Sequence, residues 1–198
     1  MRLGREGMEL NAQQKIIFEI YDLYKKFELI ESKNNNKKLP KQIEKIKNEI
    51  VVKDIHDVNY VDKVQEILLN YREIWGFIHK SSIKQWITTS KTINVAGIFY
   101  DDDLIGVMVY GEKPNYLKIN YIAVGKKFKD KSFGEYFIQF LEKKAKKLKK
   151  KKIYAEVPGD NEGGLRFFIK NGFVIEGILK NHTRGNKDLV LMAKYLEG

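Results

Sequence analysis

The segment from Leu117 to Val157 leaves this chain few architectures. LKINYIAV, residues 117–124, is an almost unbroken β run. GKKFKDKSFGE follows as a polar loop, and YFIQFLEKKAKKLKK then lines up Phe137, Phe140, Leu141, Ala145 and Leu148 on one side of a helix. KIYAEV is a second strand with the composition of a buried one. Strand, loop, helix and strand make a parallel crossover, because a helix of this length is what returns the chain to the same end of a sheet. Ligands of open α/β sheets collect at the carboxyl ends of such strands, beside the helix N-terminus. The loop from Gly125 to Gly134 is therefore the expected anion dock, its N–H groups acting together with the helix dipole.

The residues that follow extend this unit. Pro158-Gly159 stop the second strand. In DNEGGLRFFIKNGF, Asp160 or Asn161 caps a short helix whose Leu165, Phe168 and Ile169 face inward. Asn171-Gly172 ends it with a residue free to take positive φ, and FVIEGIL leads away as a strand. Upstream, EIVVKDI reads as a strand. Val58, Val61, Val64, Ile67, Leu68, Tyr71 and Ile74 predict one amphipathic helix, and SIKQWITTS a second that starts at Ser82. INVAGIFY and LIGVMVYG form a hairpin around Asp101, Asp102 and Asp103. Before all of this, Ile16, Ile17, Ile20, Leu23, Tyr24, Phe27 and Ile30 mark a helix, and Pro40 opens a shorter one. Residues 1–48 thus form a helical extension ahead of a domain spanning 49–198. Packing on that domain is its expected role, with a homodimer or a partner protein as the alternative.

Composition narrows the chemistry. With no cysteine among 198 residues, disulfides, thiolate zinc and a thiol nucleophile are excluded. His56, His79 and His182 are isolated and predict no metal site. No apolar run reaches membrane-spanning length, so no membrane association and a cytoplasmic location are expected. The net charge of +11 invites a polyanion, and KKAKKLKKKK at 143–152 supplies much of it. Lysines also suit a solvated helix C-terminus, which makes nucleic acid the less favoured partner.

Two of these stretches carry a resemblance. IAVGKKFKDKSFGEYFI resembles the pyrophosphate-loop signature of the GNAT superfamily of acyl-CoA N-acyltransferases, and NEGGLRFFIKNGF resembles the superfamily's second signature. NHTRGNKDLVLMAKYL is similar to the final hairpin of N-terminal and small-amine acetyltransferases. The likeness spans residues from about 50 to 196. It implies an α/β (α+β) fold: a mixed, mostly antiparallel twisted sheet with a splayed parallel central strand pair. It also implies acetyl-CoA as cosubstrate, no metal, and a small-molecule or protein amine as acceptor. The backbone of Ile122, Ala123 and Val124 would hold the pantetheine arm as an added strand, and Asn161 would bond the same arm. Lys129, Asp130, Lys131, Ser132, Phe133 and Gly134 would surround the pyrophosphate. Lys129 stands where the family prefers Arg or Gln, and Asp130 and Ser132 where small residues are usual. Glu156 matches the position of a glutamate base. Phe168 falls where the family has a tyrosine acid, which leaves water, Tyr121 or Tyr154 to supply the proton while Phe168 packs on the cofactor. Trp75, Phe77, Tyr116, His182 and Arg184 are candidates for the acceptor wall.

Two functions follow from this reading. The first is direct transfer of an acetyl group from acetyl-CoA to a primary amine: a protein N-terminus, a lysine, a polyamine or an aminoacyl-tRNA. The second is a catalytically weak or inactive acyl-CoA-binding module that acts through a protein or nucleic-acid partner.

Overall fold

The computed structural model describes residues 50–100, 102–128, 133–183 and 185–197. The expected N-terminal helices, Asp101, Lys129, Asp130, Lys131, Ser132 and Arg184 lie outside the described residues.

Alternating and continuous apolar runs divide the strands by how they are covered. In β2 (Ile93–Tyr100) five consecutive residues are buried and in β3 (Asp103–Glu112) eight are, the pattern of strands packed on both faces. In β5 (Lys152–Pro158) burial alternates, with Ile153, Ala155 and Val157 inward. β1 (Ile50–Asp54), β4 (Tyr116–Val124), β6 (Val174–Leu179) and β7 (Leu189–Tyr195) complete a seven-stranded sheet ordered β1-β2-β3-β4-β5-β7-β6. Only β4 and β5 run parallel; every other neighbour is antiparallel. The crossover read from the sequence is thus the one parallel junction of a mixed sheet.

Two apolar clusters hold the layers. On one face, Val64, Ile67 and Leu68 of α1 (Val61–Leu69) and Ile83 and Ile87 of α3 (Lys80–Thr88) pack on Val95, Val107, Val109 and Ala123. On the other, Phe137, Ile138, Leu141 and Ala145 of α4 (Phe133–Lys147) and Leu165 and Phe168 of α5 (Glu162–Lys170) cover Met108, Leu117, Ile153 and Met192. The buried Tyr110 on β3 donates to Asp54 of β1 at 2.7 Å, and Lys144 of α4 reaches the same carboxylate at 2.6 Å. Burial and Asp54 push the Tyr110 phenol far up, so it stays neutral and donating.

Two helices differ from expectation. The predicted helix over 58–74 is a 3-10 turn (Val58–Tyr60), α1, and a separate α2 (Arg72–Trp75). The break falls at Tyr71, which leaves helical geometry (φ −122°, ψ 21°). The next helix starts at Lys80 rather than Ser82, because the carbonyl of His79 already accepts from Ser82 and Ile83. The lysine run 143–152 is partly committed within the fold: Lys144 pairs with Asp54, Lys150 with Glu112 and Lys152 with Glu176. Among the described residues, no helix is long and apolar enough to cross a membrane.

Candidate active site

β4 and β5 are paired from Tyr116↔Lys152 to Ile119↔Ala155 and then part. Beyond that point β4 stays with β3 alone and β5 with β7 alone. The parting coincides with a bulge. Val109 faces Tyr121 and Tyr110 faces Ile119, so Asn120 is the extra residue. An extra residue reverses the side-chain alternation that follows. Leu117 and Ile119 point into the α4 cluster, whereas Tyr121 and Ala123 point toward α1 and α3. There Tyr121 lies 5.4 Å from the Trp75 ring and stacks on Trp86 at 5.8 Å.

The bulge also decides which backbone groups are available. Gly125 N–H bonds to Ile105 O at 2.8 Å, so by ladder alternation Ala123 turns its own groups toward β3. Ile122 and Val124 turn theirs into the gap. Of the three residues expected to hold the pantetheine arm, two therefore present backbone groups to it. The Tyr71 hydroxyl donates to Val124 O at 2.9 Å, from the point where the helix breaks.

Two clefts open at the gap. The larger, about 730 Å³, runs from Trp75 past Ile122 and Val124 to Phe133 and Gly134 at the start of α4 and to Asn161, Gly163 and Phe168 at α5. The smaller, about 300 Å³, is walled by Trp86, Ile93, Lys118 and the residues it shares with the first. Ile119, Asn120, Tyr121 and Glu156 line both. They are the junction at which a group held in one cleft meets a group held in the other.

The remaining site residues fall as follows. Glu156 accepts from Lys118 at 2.7 Å, and both side chains are partly exposed. Tyr154 is hydrogen-bonded to Glu156; burial first and then that carboxylate push its phenol up to about 12. Tyr154 lines neither cleft. Asn161 caps α5, its Oδ1 accepting from Gly164 N–H at 3.0 Å, which leaves its amide NH₂ as a donor into the larger cleft. Phe168 is buried, edge-on to Phe173 at 4.9 Å. A Cβ on Gly134 would come within 2.8 Å of the Phe167 ring, so glycine lets α4 approach α5 closely. Phe77 is 61% exposed and lines neither cleft; Tyr116 meets Tyr154 edge-on and also lines neither. His182 lines neither, although its neighbour Thr183 lines the larger one. Sequence reasoning missed Tyr71, Trp86, Lys118 and Asn120. The available signal was parity: Leu117-Lys118-Ile119-Asn120 alternates, and Tyr121-Ile122-Ala123-Val124 does not.

The acetyltransferase (GNAT) family model matches residues 61–173. The chain belongs to this family. It is an acyltransferase with the GNAT fold, and solved structures agree on that fold at low identity. Ard1 from Thermoplasma volcanium superposes with a TM-score of 0.64 at 16% identity, covering 76% of this chain and 99% of its own. The ribosomal-protein-S18-alanine N-acetyltransferase from Escherichia coli gives 0.63 at 12%, covering 75% and 95%. PaiA N-acetyltransferase from Thermoplasma acidophilum, in complex with coenzyme A, gives 0.61 at 20%, covering 74% and 98%. No curated protein sequence matches significantly. In GNAT terms, the parted β4 and β5 are the splayed pair.

Proposed function

We propose that this GNAT chain transfers an acetyl group from acetyl-CoA to a primary amine by direct attack, with Glu156 as base and Tyr121 as proton donor. The observation that carries the reading is the junction: Glu156 and Tyr121 line both clefts, so each reaches a group held in either. The larger cleft suits an acyl-CoA arm. It offers the backbone of Ile122 and the N–H of Val124, whose carbonyl already accepts from Tyr71, with the amide of Asn161 as a donor and the start of α4 for the diphosphate. Structures of related fold that carry CoA or acetyl-CoA, from Thermoplasma acidophilum and Elizabethkingia anophelis, support the same choice of cosubstrate.

In the proposed reaction acetyl-CoA supplies an activated thioester carbonyl. Glu156 accepts a proton from the acceptor ammonium, directly or through water, and the freed nitrogen lone pair forms the new C–N bond. The C–S bond breaks, and the Tyr121 hydroxyl or water protonates the departing thiolate. Glu156→Gln keeps shape and removes the base. Turnover, followed as thiol release from acetyl-CoA across an amine panel, should fall by roughly 100- to 10,000-fold with CoA affinity nearly unchanged. Unchanged turnover removes Glu156 from the mechanism. An active site in which CoA saturates and no amine releases thiol removes the proposed reaction.

A further inference from the structure

The smaller cleft contains one cation, Lys118, and one anion, Glu156, among the described residues that line it. Their side chains are 25% and 34% exposed, and Nζ lies 2.7 Å from Oε1. Lys118 is also held over the Tyr154 ring, 5.8 Å from its centroid, so its position is defined from two sides. An amine that approaches Glu156 therefore arrives beside an existing ammonium. For a simple amine or a polyamine this sets like charges against each other in a partly desolvated site. An acceptor with its own carboxylate removes the conflict. Its ammonium takes Glu156, its carboxylate takes Lys118, and one ion pair is exchanged for two with no charge left over. The rest of the wall is Trp86, Ile93, Ile119, Tyr121 and the polar Asn120, so the acceptor is selected by its two charges rather than by its side chain. The whole-chain charge of +11 works in the same direction, against polycationic acceptors and for acids.

We propose that the acceptor is a small zwitterion, a free amino acid, and that Lys118 is its specificity-determining residue through contact with the carboxylate. This rests on the acetyltransferase reading above and selects among the acceptors it leaves open.

The test uses the purified full chain. Calorimetry with CoA present follows binding of the free L-amino acids, of their matched carboxamides and of 1,4-diaminobutane. Thiol release from acetyl-CoA is followed on the same panel. At least one amino acid should bind and turn over, and its carboxamide should do so roughly tenfold or more worse, the size of a charge-assisted contact. Lys118→Gln should erase that acid-over-amide ratio by raising KM for the acid, and Lys118→Arg should keep it. Carboxamides or the diamine accepted as well as the acids, no acid bound at all, or a ratio that survives Lys118→Gln overturns the proposal. The two readings fail separately. Thiol release from amides or the diamine leaves the acetyltransferase reading intact and sinks the zwitterion. Acid binding that depends on Lys118 without thiol release sinks the proposed reaction and keeps the recognition.

Discussion

At the scale of single residues, the second signature stretch separates two adjacent glycines that look equivalent in the sequence. A Cβ on Gly163 meets nothing closer than Asn161 Oδ1 at 4.0 Å, whereas one on Gly164 would lie 2.5 Å from Asn161 Nδ2 and 3.0 Å from its Cγ. Gly163→Ala therefore gains helix propensity without a clash and should stabilise the protein by up to about 1 kcal/mol. Gly164→Ala gains the same propensity and displaces the cap, so it should melt below Gly163→Ala by about 1 kcal/mol in calorimetry and also weaken CoA binding. Equal melting of the two would mean that Asn161 holds nothing at the start of α5. Gly172 shows the opposite, legible case. Its φ of +80° and the bond from Phe173 N–H to Phe168 O close α5 as Asn171-Gly172 predicts.

At the scale of elements, the turn between β6 and β7 is organised by Asp188, only 3% exposed as a residue. It accepts from Lys180 Nζ at 2.6 Å and from Asn181 N–H at 3.1 Å. These bonds, Lys180 first, hold its carboxyl below the ordinary aspartate value of 3.8. A lowered folded value means that the carboxylate contributes stability above pH 3.8 and loses it as pH falls through the folded value. Asp188→Asn should lower Tm at neutral pH, with the gap to the parent closing as melts are repeated toward pH 3; a gap independent of pH would point to shape rather than charge. The turn also shows where sequence reading stops. The strand β7 came only through the family's final hairpin, while local patterns found the other described strands, the crossover and the cap on α5. Each rests on spacing within one element. The break at Tyr71 was missed because apolar spacing runs through it unbroken, and the acceptor of the Tyr71 hydroxyl, Val124 O, lies far along the chain. The Lys118–Glu156 pair was missed for the same reason, since it depends on the β4–β5 register and on where that register ends. Glu156 was expected from family likeness and Tyr121 as one replacement for the tyrosine that Phe168 displaces; the bulge that turns Tyr121 toward α3 was not expected.

At the scale of the whole molecule, the sheet consists of two stiff halves, β1–β4 and β5-β7-β6, joined directly along the short Tyr116–Ile119 seam and bridged by α4. Past that seam the amide of Ile122 points into open space. Its hydrogen should exchange with deuterium far faster than that of Ala123, which is paired to β3. CoA should slow Ile122 and leave Ala123 unchanged; equal protection of both without CoA would contradict the ladder assigned to β4. A bound arm then serves as a removable rung. Each turnover would stiffen the joint between the two plates and loosen it again, which makes the rigidity of this protein a readout of how much of it carries cosubstrate at any moment.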